Sequence, residues 1–344
     1  SRTDQHRTQI ASITNPVEQE NPPINTVPPP GLPTAVPPEL PTSASQILPP
    51  ADLAGYITYT IQQGDTLPAL AKRFDVPFDQ FLSDVTLPSA GFLPVGSYIY
   101  IPDVLEEVLP YNQQIMPDSE IIFGATVKGF NAAAFGFEAG GFLASYSENV
   151  KGETLMGPDI VQLVAVETST NPRLLLAIME YQSGWVFGHP PGAENDRYPI
   201  GFGADTGLHK ELMITARILA QGFYGWRDGS QTQLTFYGGG GGRLSPELNA
   251  GSTALMRFFS VIYKQEFFTK HLFGTESFLT FYQEQFGNYW DRAVLVEPHL
   301  LDSTQQPELS LPIPVGEAWS LTGGPHITWQ TGTPRGAVDF APIT

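Results

Sequence analysis

Glu180 is the side chain of this sequence best placed to act as a general acid. It lies near the end of the apolar stretch TNPRLLLAIMEYQSGW, in which Asn171 and Pro172 predict the start of a helix over Leu174 to Glu180. Apolar surroundings favour the neutral form of a carboxylic acid, and such an acid can protonate a glycosidic oxygen. The alternative is a partly buried acid whose oxygens are satisfied by local hydrogen bonds.

A second pair of residues, His326 and Asp339, could supply a nitrogen and an oxygen to a metal ion, and both are ordinary zinc ligands. They lie in the segment WSLTGGPHITWQTGTPRGAVDFAPIT, where alternating apolar residues predict a strand over Ala337–Ala341. Two ligands do not hold a catalytic zinc ion. The other histidines stand alone along the sequence, at positions 6, 189, 209, 271 and 299. We therefore expect an incomplete metal site and no cofactor in the sequence as given.

The segment around this pair resembles the opening of the lysostaphin-type zinc endopeptidases, and of their β-lytic branch in particular. The resemblance lies in the string G-G-P-H, an insert, and then A-V-D-F. It implies that His326 and Asp339 are the first two ligands of Zn²⁺, although their spacing of 13 positions is wider than that of the commoner H-x-x-x-D pattern. The later H-x-H that this family needs does not follow in the printed sequence, so we expect zinc chemistry only in a longer form of the chain.

The stretch around Glu180 resembles the lysozyme-like transglycosylases, in which a helix of the form N-P-x-L-L-L-A-I-x-x-x-E-S-G carries the catalytic glutamate. A second segment, SPELNAGSTALMRF, places Asn249 and Gly251 in register with that family's P-x-x-N-I-x-x-G pattern. Tyr181 follows the glutamate where the family has serine, and Lys210 stands where it has glutamine. The resemblance implies glycosidic cleavage by Glu180 or glycan binding without cleavage, and a purely structural role is the third alternative.

A compact unit precedes these segments: YITYTIQQGDTLPALAKRFDVPFDQFLSDVTLPSAGFLPVGSYIYIPD. Its pattern predicts a strand, two helices and a closing strand, over residues 56–61, 69–74, 78–82 and 97–101. Asp65 or Thr66 is expected to cap the first helix, because a short polar side chain there can accept from the free N–H groups of the first turn.

The same unit resembles the LysM module, through its G-D-T-L opening, its A-x-R/K-F centre and its final L-x-V/P-G-x-x-I-x-I-P. The resemblance implies a βααβ order and a groove that binds N-acetylglucosamine polymers such as peptidoglycan and chitin. Carried onto this sequence, the groove would comprise Gly64, Asp65, Thr66, Leu67, Leu93, Pro94 and Val95. The alternative is that Asp65 and Thr66 only cap a helix.

The remaining sequence predicts a mostly helical unit. Helices are predicted over residues 159–166, 212–221, 246–264 and 277–286, a strand within SEIIFGATVKGF, and a helix start within residues 141–149. Five aromatic residues flank turn-rich loops, where they could stack on sugar rings, although most such sets belong to a core. They are Trp185, Phe187, Phe223, Tyr224 and Trp226.

Composition excludes several classes of function. With 17 Lys+Arg against 35 Asp+Glu, the formal net charge is -18, which argues against unaided binding to nucleic acid or anionic membranes. The absence of cysteine excludes disulfides, thiolate metal sites and cysteine nucleophiles. No run of apolar residues is long enough to span a bilayer.

The Pro-rich residues 1–50 predict an extended tether, as in exported envelope proteins. A chain whose first residue is Ser1 is expected to be a processed or partial chain.

Together these patterns predict an α+β, multidomain protein with four parts. They are a Pro-rich tether (1–55), a LysM module (56–103), a mainly α lysozyme-like domain with its lead-in (104–305) and the incomplete start of a zinc metallopeptidase-like β domain (306–344). We expect an exported, extracellular or cell-envelope protein that binds peptidoglycan or another N-acetylglucosamine-containing glycan and hydrolyses or remodels the cell wall. The alternative is a non-catalytic, self-assembling surface scaffold or filament built from retired hydrolase modules.

Overall fold

Two separate apolar cores organise the chain. The structure is a computed structural model that describes residues 54–192, 198–202, 207–298, 310, 313–314, 316–323 and 339–342. The smaller core lies between residues 57 and 105 and the larger core between residues 109 and 289. Residues 54–105 are called here the small unit, and the described residues from 106 to 298 the helical unit. The predicted α+β class is confirmed. Within the described residues, no helix is both long and apolar enough to cross a membrane.

The small unit is a three-stranded antiparallel sheet covered by one helix. Its elements are β1 (Tyr56–Thr60), α1 (Leu67–Phe74), β2 (Leu82–Ser83) and β3 (Tyr98–Pro102), with sheet order β1-β3-β2. The strands and the first helix are confirmed close to their predicted bounds. Thr66 caps α1, since its hydroxyl oxygen accepts from the Ala69 N–H at 3.3 Å. The helix ends at Asp75 in the left-handed conformation.

The second helix predicted in the small unit, over residues 78–82, is wrong in extent. Only a 3₁₀ turn forms there, Phe78–Gln80, directly after Pro77. All three of its residues are exposed, so the segment has no apolar face to bury against the sheet. The chain enters β2 at Leu82 instead.

The helical unit contains nine helices among the described residues, together with two short hairpins. The helices are α2 (Ala132–Ala139), α3 (Phe142–Ser145), α4 (Gly157–Thr168), α5 (Pro172–Ser183), α6 (Leu208–Asp228), α7 (Ala250–Ile262), α8 (Gln265–Phe273), α9 (Phe278–Phe286) and α10 (Tyr289–Val294). The hairpins are β4 (Ser147–Val150) with β5 (Glu153–Met156), and β6 (Gln233–Thr235) with β7 (Gly241–Arg243). The glycine run over residues 238–242 therefore forms the turn of a hairpin and enters β7.

The caps that the sequence predicts set the start of α5. The Asn171 side-chain oxygen accepts from the Arg173 N–H at 3.0 Å, and Pro172 is the first helical residue. The helix ends at Gly184, in the left-handed conformation.

The other predicted helices are confirmed with shifted bounds. The largest change is in α6, which is 21 residues long because buried side chains continue along one face from Leu208 to Trp226.

The strand predicted within SEIIFGATVKGF is wrong. This segment holds two 3₁₀ turns, Asp118–Glu120 and Ala125–Val127, and only Ile122 forms a single bridge, to Thr170. Glu120 in this segment and Asp118 just before it are buried acceptors for other elements, and these bonds hold the backbone away from a sheet. The helix predicted to begin within residues 141–149 is limited to α3, after which the chain forms β4.

At the C-terminal end the structure describes a two-stranded antiparallel sheet, β8 (Trp319–Gly323) with β9 (Asp339–Pro342). The strand predicted over residues 337–341 is confirmed from Asp339 onward.

Two half-buried histidines make the stability of the helical unit sensitive to acid. Burial and Lys270 lower the pKa of His271, and burial lowers the pKa of His209 despite nearby Glu167 and Glu148. His271 stacks on Tyr263 with ring centroids 4.0 Å apart, and this packing contributes to its burial.

We therefore expect the free energy of unfolding to fall as the pH drops below about 6.5, because the unfolded chain binds protons that the native histidines do not. Melting temperatures between pH 7.5 and 5 test this expectation. His271→Gln should flatten the dependence, and a slope unchanged in this variant and in His209→Gln would contradict the assignment.

Candidate functional site

The seven residues predicted to form a glycan groove lie on two adjoining loops of the small unit. Gly64 to Leu67 joins β1 to α1, and Leu93 to Val95 precedes β3. The Leu93 N–H donates to the Asp65 carbonyl oxygen at 2.9 Å, and the Gly96 N–H donates to the Ile61 carbonyl oxygen at 2.9 Å. The structure therefore brings the two predicted sets together.

Only some of these residues can present a side chain to a ligand. Pro94 and Val95 are exposed, Val95 by 40%, and Thr66 is half-buried. The other four are buried and determine the shape of the loops: Gly64, Asp65, Leu67 and Leu93. The ligand-facing surface of the predicted set thus comprises Thr66, Pro94, Val95 and the backbone between them.

Asp65 is committed to the interior of the small unit. One carboxylate oxygen accepts from the Tyr59 hydroxyl at 2.8 Å and from the Gln62 N–H at 2.7 Å, and the other accepts from Arg73 Nη1 at 2.7 Å. Burial, together with the Asp65 charge, raises the pKa of Tyr59 well above its ordinary value, so this phenol remains a donor. Asp65 therefore positions the loop and is not the cap of α1.

Arg73 extends this network from the small unit to the helical unit. It is 2% exposed, its Nε and Nη2 donate to the Trp226 carbonyl oxygen at 3.1 and 2.9 Å, and its guanidinium lies 4.5 Å from the centre of the Trp226 ring. Trp226 is in the last turn of α6, where carbonyl groups lack helical partners and a cation is favourable. The buried Asp65–Arg73 pair therefore fixes the groove loop against α6.

A second arginine, Arg227 of the helical unit, lies against the same loop at Gly64. Gly64 has φ +83°, and a Cβ there would lie 3.1 Å from Arg227 Cζ and Nη1. Arg227 also lies over the Phe223 ring at 4.7 Å and donates to Asp118 Oδ2 at 2.9 Å. Glycine at position 64 thus permits both the turn and the close approach of this guanidinium.

A cavity of about 310 Å³, called here the junction cavity, lies where the two units meet. The small unit contributes residues 60–63, Asp65, Arg73, Val95 and Gly96 to its wall. The helical unit contributes Gln114, Asp118, Trp226, Arg227, Asn249, Ala250, Trp290 and Glu297. Asp65 and Val95 belong both to this wall and to the predicted groove, so the two sites are continuous.

Asn249 and Gly251, the residues in register with the transglycosylase pattern, have structural roles beside this cavity. Asn249 caps α7 and donates to Asp118 Oδ1 at 2.9 Å, and the Gly251 N–H donates to the same oxygen at 2.7 Å. A Cβ on Gly251 would lie 2.5 Å from the Met116 carbonyl oxygen, so the backbone of α7 approaches here only with glycine. Packing therefore explains both residues without catalysis.

Glu180 lies on α5 and holds the loop that follows this helix. Its Oε2 accepts from the Val186 N–H at 2.7 Å and from the Phe187 N–H at 3.0 Å. Val186 is buried, so its N–H needs this partner. The junction cavity is lined by other residues. Glu180 therefore stabilises the loop after α5 by accepting from two backbone N–H groups. Its role as a general acid stays a prediction.

Glu180→Ala is expected to lower the free energy of unfolding by about 1–3 kcal/mol, because two backbone N–H groups lose their acceptor. Glu180→Gln keeps an acceptor oxygen and should cost less. Urea denaturation measures both, with Glu284→Ala on an exposed position of α9 as control. If Glu180→Gln leaves stability unchanged but abolishes release of sugars from peptidoglycan, the general-acid role is supported instead.

The aromatic set proposed for sugar stacking is mostly core. Trp185 is fully buried, and Phe223 and Trp226 are each 2% exposed. Phe187 and Tyr224 are exposed by 43% and 44%, respectively. Trp226 and Trp290 both line the junction cavity, but Trp226 is 2% exposed, and the more exposed Trp290 was not among the residues proposed.

The predicted zinc ligands are not brought together within the described residues. His326 lies outside them, and Asp339 is described only through its backbone in β9. The described part of the chain holds no group of three His, Cys, Asp or Glu side chains able to bind a metal ion. The zinc assignment therefore stays a prediction from sequence.

Sequence reasoning missed Arg73, Gln114 and Trp290 among the residues that join the two units, and it assigned Trp226 to sugar stacking rather than to this contact. These residues are far apart in sequence, and Arg73 and Trp226 are separated by 153 positions. Arg73 stands in the A-x-R/K-F centre of the LysM-like pattern, which was the one signal on which it could have been noticed.

Comparison with family models gives two matches. The model described as LasA, N-terminal domain, matches residues 114–300, and the model described as LysM domain matches residues 59–102. The lysozyme-like interpretation of the helical unit is not confirmed by these matches. No curated protein and no solved structure matches the chain.

Proposed function

We propose that this chain, which belongs to the family described as LasA, N-terminal domain, is an exported cell-wall protein that binds the glycan of peptidoglycan. The proposal also rests on the LysM domain that the chain carries. The LysM match supports a ligand containing N-acetylglucosamine, and the family match supports a relation to cell-wall hydrolases. The net charge of -18 argues that recognition of the wall relies on polar and apolar contacts rather than on cations.

The observation that carries this proposal is the convergence of the two groove loops. Thr66, Pro94 and Val95 face outward from loops joined by the Leu93–Asp65 hydrogen bond. Behind them, the buried Asp65–Arg73 pair holds the loop in one conformation. A site whose loops are fixed before binding loses less conformational entropy when the glycan arrives.

The proposed role of this binding is to raise local concentration. A glycan anchor of modest affinity keeps the rest of the protein at an insoluble substrate, which increases the effective concentration of any attached catalytic module. In a longer form of the chain, the segment with His326 and Asp339 would contribute to zinc-assisted hydrolysis of peptide cross-links.

Co-sedimentation of the intact chain with purified peptidoglycan tests this proposal. Val95→Glu places a charge on the groove and should weaken the affinity, taken from the bound fraction at several peptidoglycan concentrations, at least about tenfold, which corresponds to about 1.4 kcal/mol. Val85→Glu is the matched control, because Val85 is 37% exposed in the same unit but lies outside both the groove set and the cavity wall. Equal binding by both variants would contradict the assignment of the groove.

A second candidate function, that of a non-catalytic scaffold, is favoured by the engagement of Glu180 with the backbone of residues 186 and 187. Mass spectrometry of the soluble fraction after incubation with peptidoglycan separates the two. Released sugars or peptides identify a hydrolase, and retained protein without products identifies the scaffold.

A further inference from the structure

We propose that the junction cavity is a second sugar subsite, built jointly by the small and helical units, which takes one uncharged N-acylated sugar residue next to the LysM groove. This inference rests on the proposed glycan binding and extends it to residues outside the LysM domain. The wall shared through Asp65 and Val95 makes the cavity a continuation of the groove.

The charges around the cavity favour a neutral ligand. Arg73 is paired with Asp65 at 2.7 Å, and Arg227 is paired with Asp118 at 2.9 Å. The fifth charged residue of the wall, Glu297, accepts from the Ser119 N–H at 2.8 Å. Since each arginine faces a carboxylate, the cavity has no surplus positive charge that would select a phosphate or a carboxylate.

A network of amides fixes the walls. Gln114 Nε2 donates to Gln62 Oε1 at 3.1 Å and to the Glu247 carbonyl oxygen at 3.0 Å, and Gln62 Nε2 donates to the same carbonyl at 2.9 Å. These bonds connect the groove loop with the segment before α7. The two sides of the cavity are therefore held together before any ligand binds.

Gln63 is an amide of the wall that takes no part in this network. Its Nε2 is buried and has no hydrogen-bond partner within the described part of the chain. An unpaired buried donor is costly, and the carbonyl oxygen of an acetamido group on a sugar is the kind of acceptor that would satisfy it.

On the helical side, Trp290 gives the cavity an aromatic wall. Its side chain is 36% exposed, and indole rings provide flat apolar surface with a polar N–H at one end. A ring with an apolar face and polar substituents, such as a sugar, matches this combination of an indole and amides. The volume of about 310 Å³ is at the lower end of ligand sites, which suits one sugar residue rather than a chain.

Calorimetric titration of the intact chain with a disaccharide and with a longer oligomer of N-acetylglucosamine tests this proposal. Trp290→Ala and Gln63→Ala should each weaken binding of the longer oligomer by about three- to tenfold and leave the disaccharide affinity within about twofold. Trp319→Ala and Gln80→Ala are the matched controls, because Trp319 is 37% exposed on β8 and Gln80 is exposed on the small unit.

The outcomes separate this proposal from the function on which it rests. If neither oligomer binds the unaltered chain, the proposed glycan binding fails and the subsite fails with it. If both oligomers bind but the Trp290 and Gln63 variants match their controls, only the joint subsite is overturned.

Discussion

Arg73→Met is expected to lower the free energy of unfolding by about 3–5 kcal/mol, since it leaves the Asp65 carboxylate buried without its cation. Both side chains of the pair are 2% exposed, and Nη1 of Arg73 lies 2.7 Å from Asp65 Oδ1. The same substitution removes the two hydrogen bonds to the Trp226 carbonyl and the contact with the indole ring. The loss should therefore affect both the groove loop and its contact with α6.

Urea denaturation followed by tryptophan fluorescence measures this effect, because Trp226 lies directly under the guanidinium. Arg217→Met is the matched control on an exposed position of α6 and should change stability by less than about 0.5 kcal/mol. Adding Asp65→Asn to Arg73→Met should recover part of the loss, since no buried charge is then unpaired. A loss in Arg73→Met no larger than in the control would refute the buried coupling of the two units.

Arg292→Met is expected to cost a similar amount, about 3–5 kcal/mol, because Glu120 is fully buried and Arg292 is its cation. Arg292 Nε and Nη2 each donate to a different oxygen of Glu120 at 2.9 Å, and the Tyr282 hydroxyl donates at 2.6 Å. Burial by itself lowers the pKa of Arg292. The hydrogen bonds and the charge of Glu120 outweigh burial, so the pKa of Arg292 is raised overall. Burial, reinforced by Glu120, raises the pKa of Tyr282.

This network ties α9 and α10 to the 3₁₀ turn that carries Glu120, so its loss should loosen the C-terminal helices first. Hydrogen exchange at the amides of α9 and α10 measures the loosening, and urea denaturation measures the total loss. Arg217→Met again serves as the control. Protection of these helices equal to that of the unaltered chain would show that Glu120 does not hold them.

Much of the local structure could be predicted from the sequence, because its signals are local. The Thr66 cap, the start of α5 at Asn171–Pro172 and the strands of the small unit follow from caps, prolines and alternation within a few residues. The errors occur where tertiary contacts decide. The segment over residues 119–130 was assigned to a strand, but Glu120 accepts from α10 and Asp118, just before the segment, accepts from α7, and two 3₁₀ turns form there instead.

The candidate site could be predicted only in part for the same reason. The LysM pattern located both groove loops, since its motif lies within one short unit. It could not show that Asp65 faces inward toward Arg73, or that α6 and α10 supply the opposite wall through Trp226 and Trp290. Such contacts depend on how two units pack, and no local pattern in either unit encodes them.

The central claim is that this chain recognises the N-acetylglucosamine of the cell wall, and competition for peptidoglycan tests it most directly. The intact chain should sediment with purified peptidoglycan and should be released by soluble N-acetylglucosamine oligomers but not by the deacetylated oligomers. The bound fraction should change little between low and high salt, because a chain of net charge -18 binds without ionic attraction to the wall. Failure to sediment, or release by salt but not by the acetylated oligomers, would contradict the account.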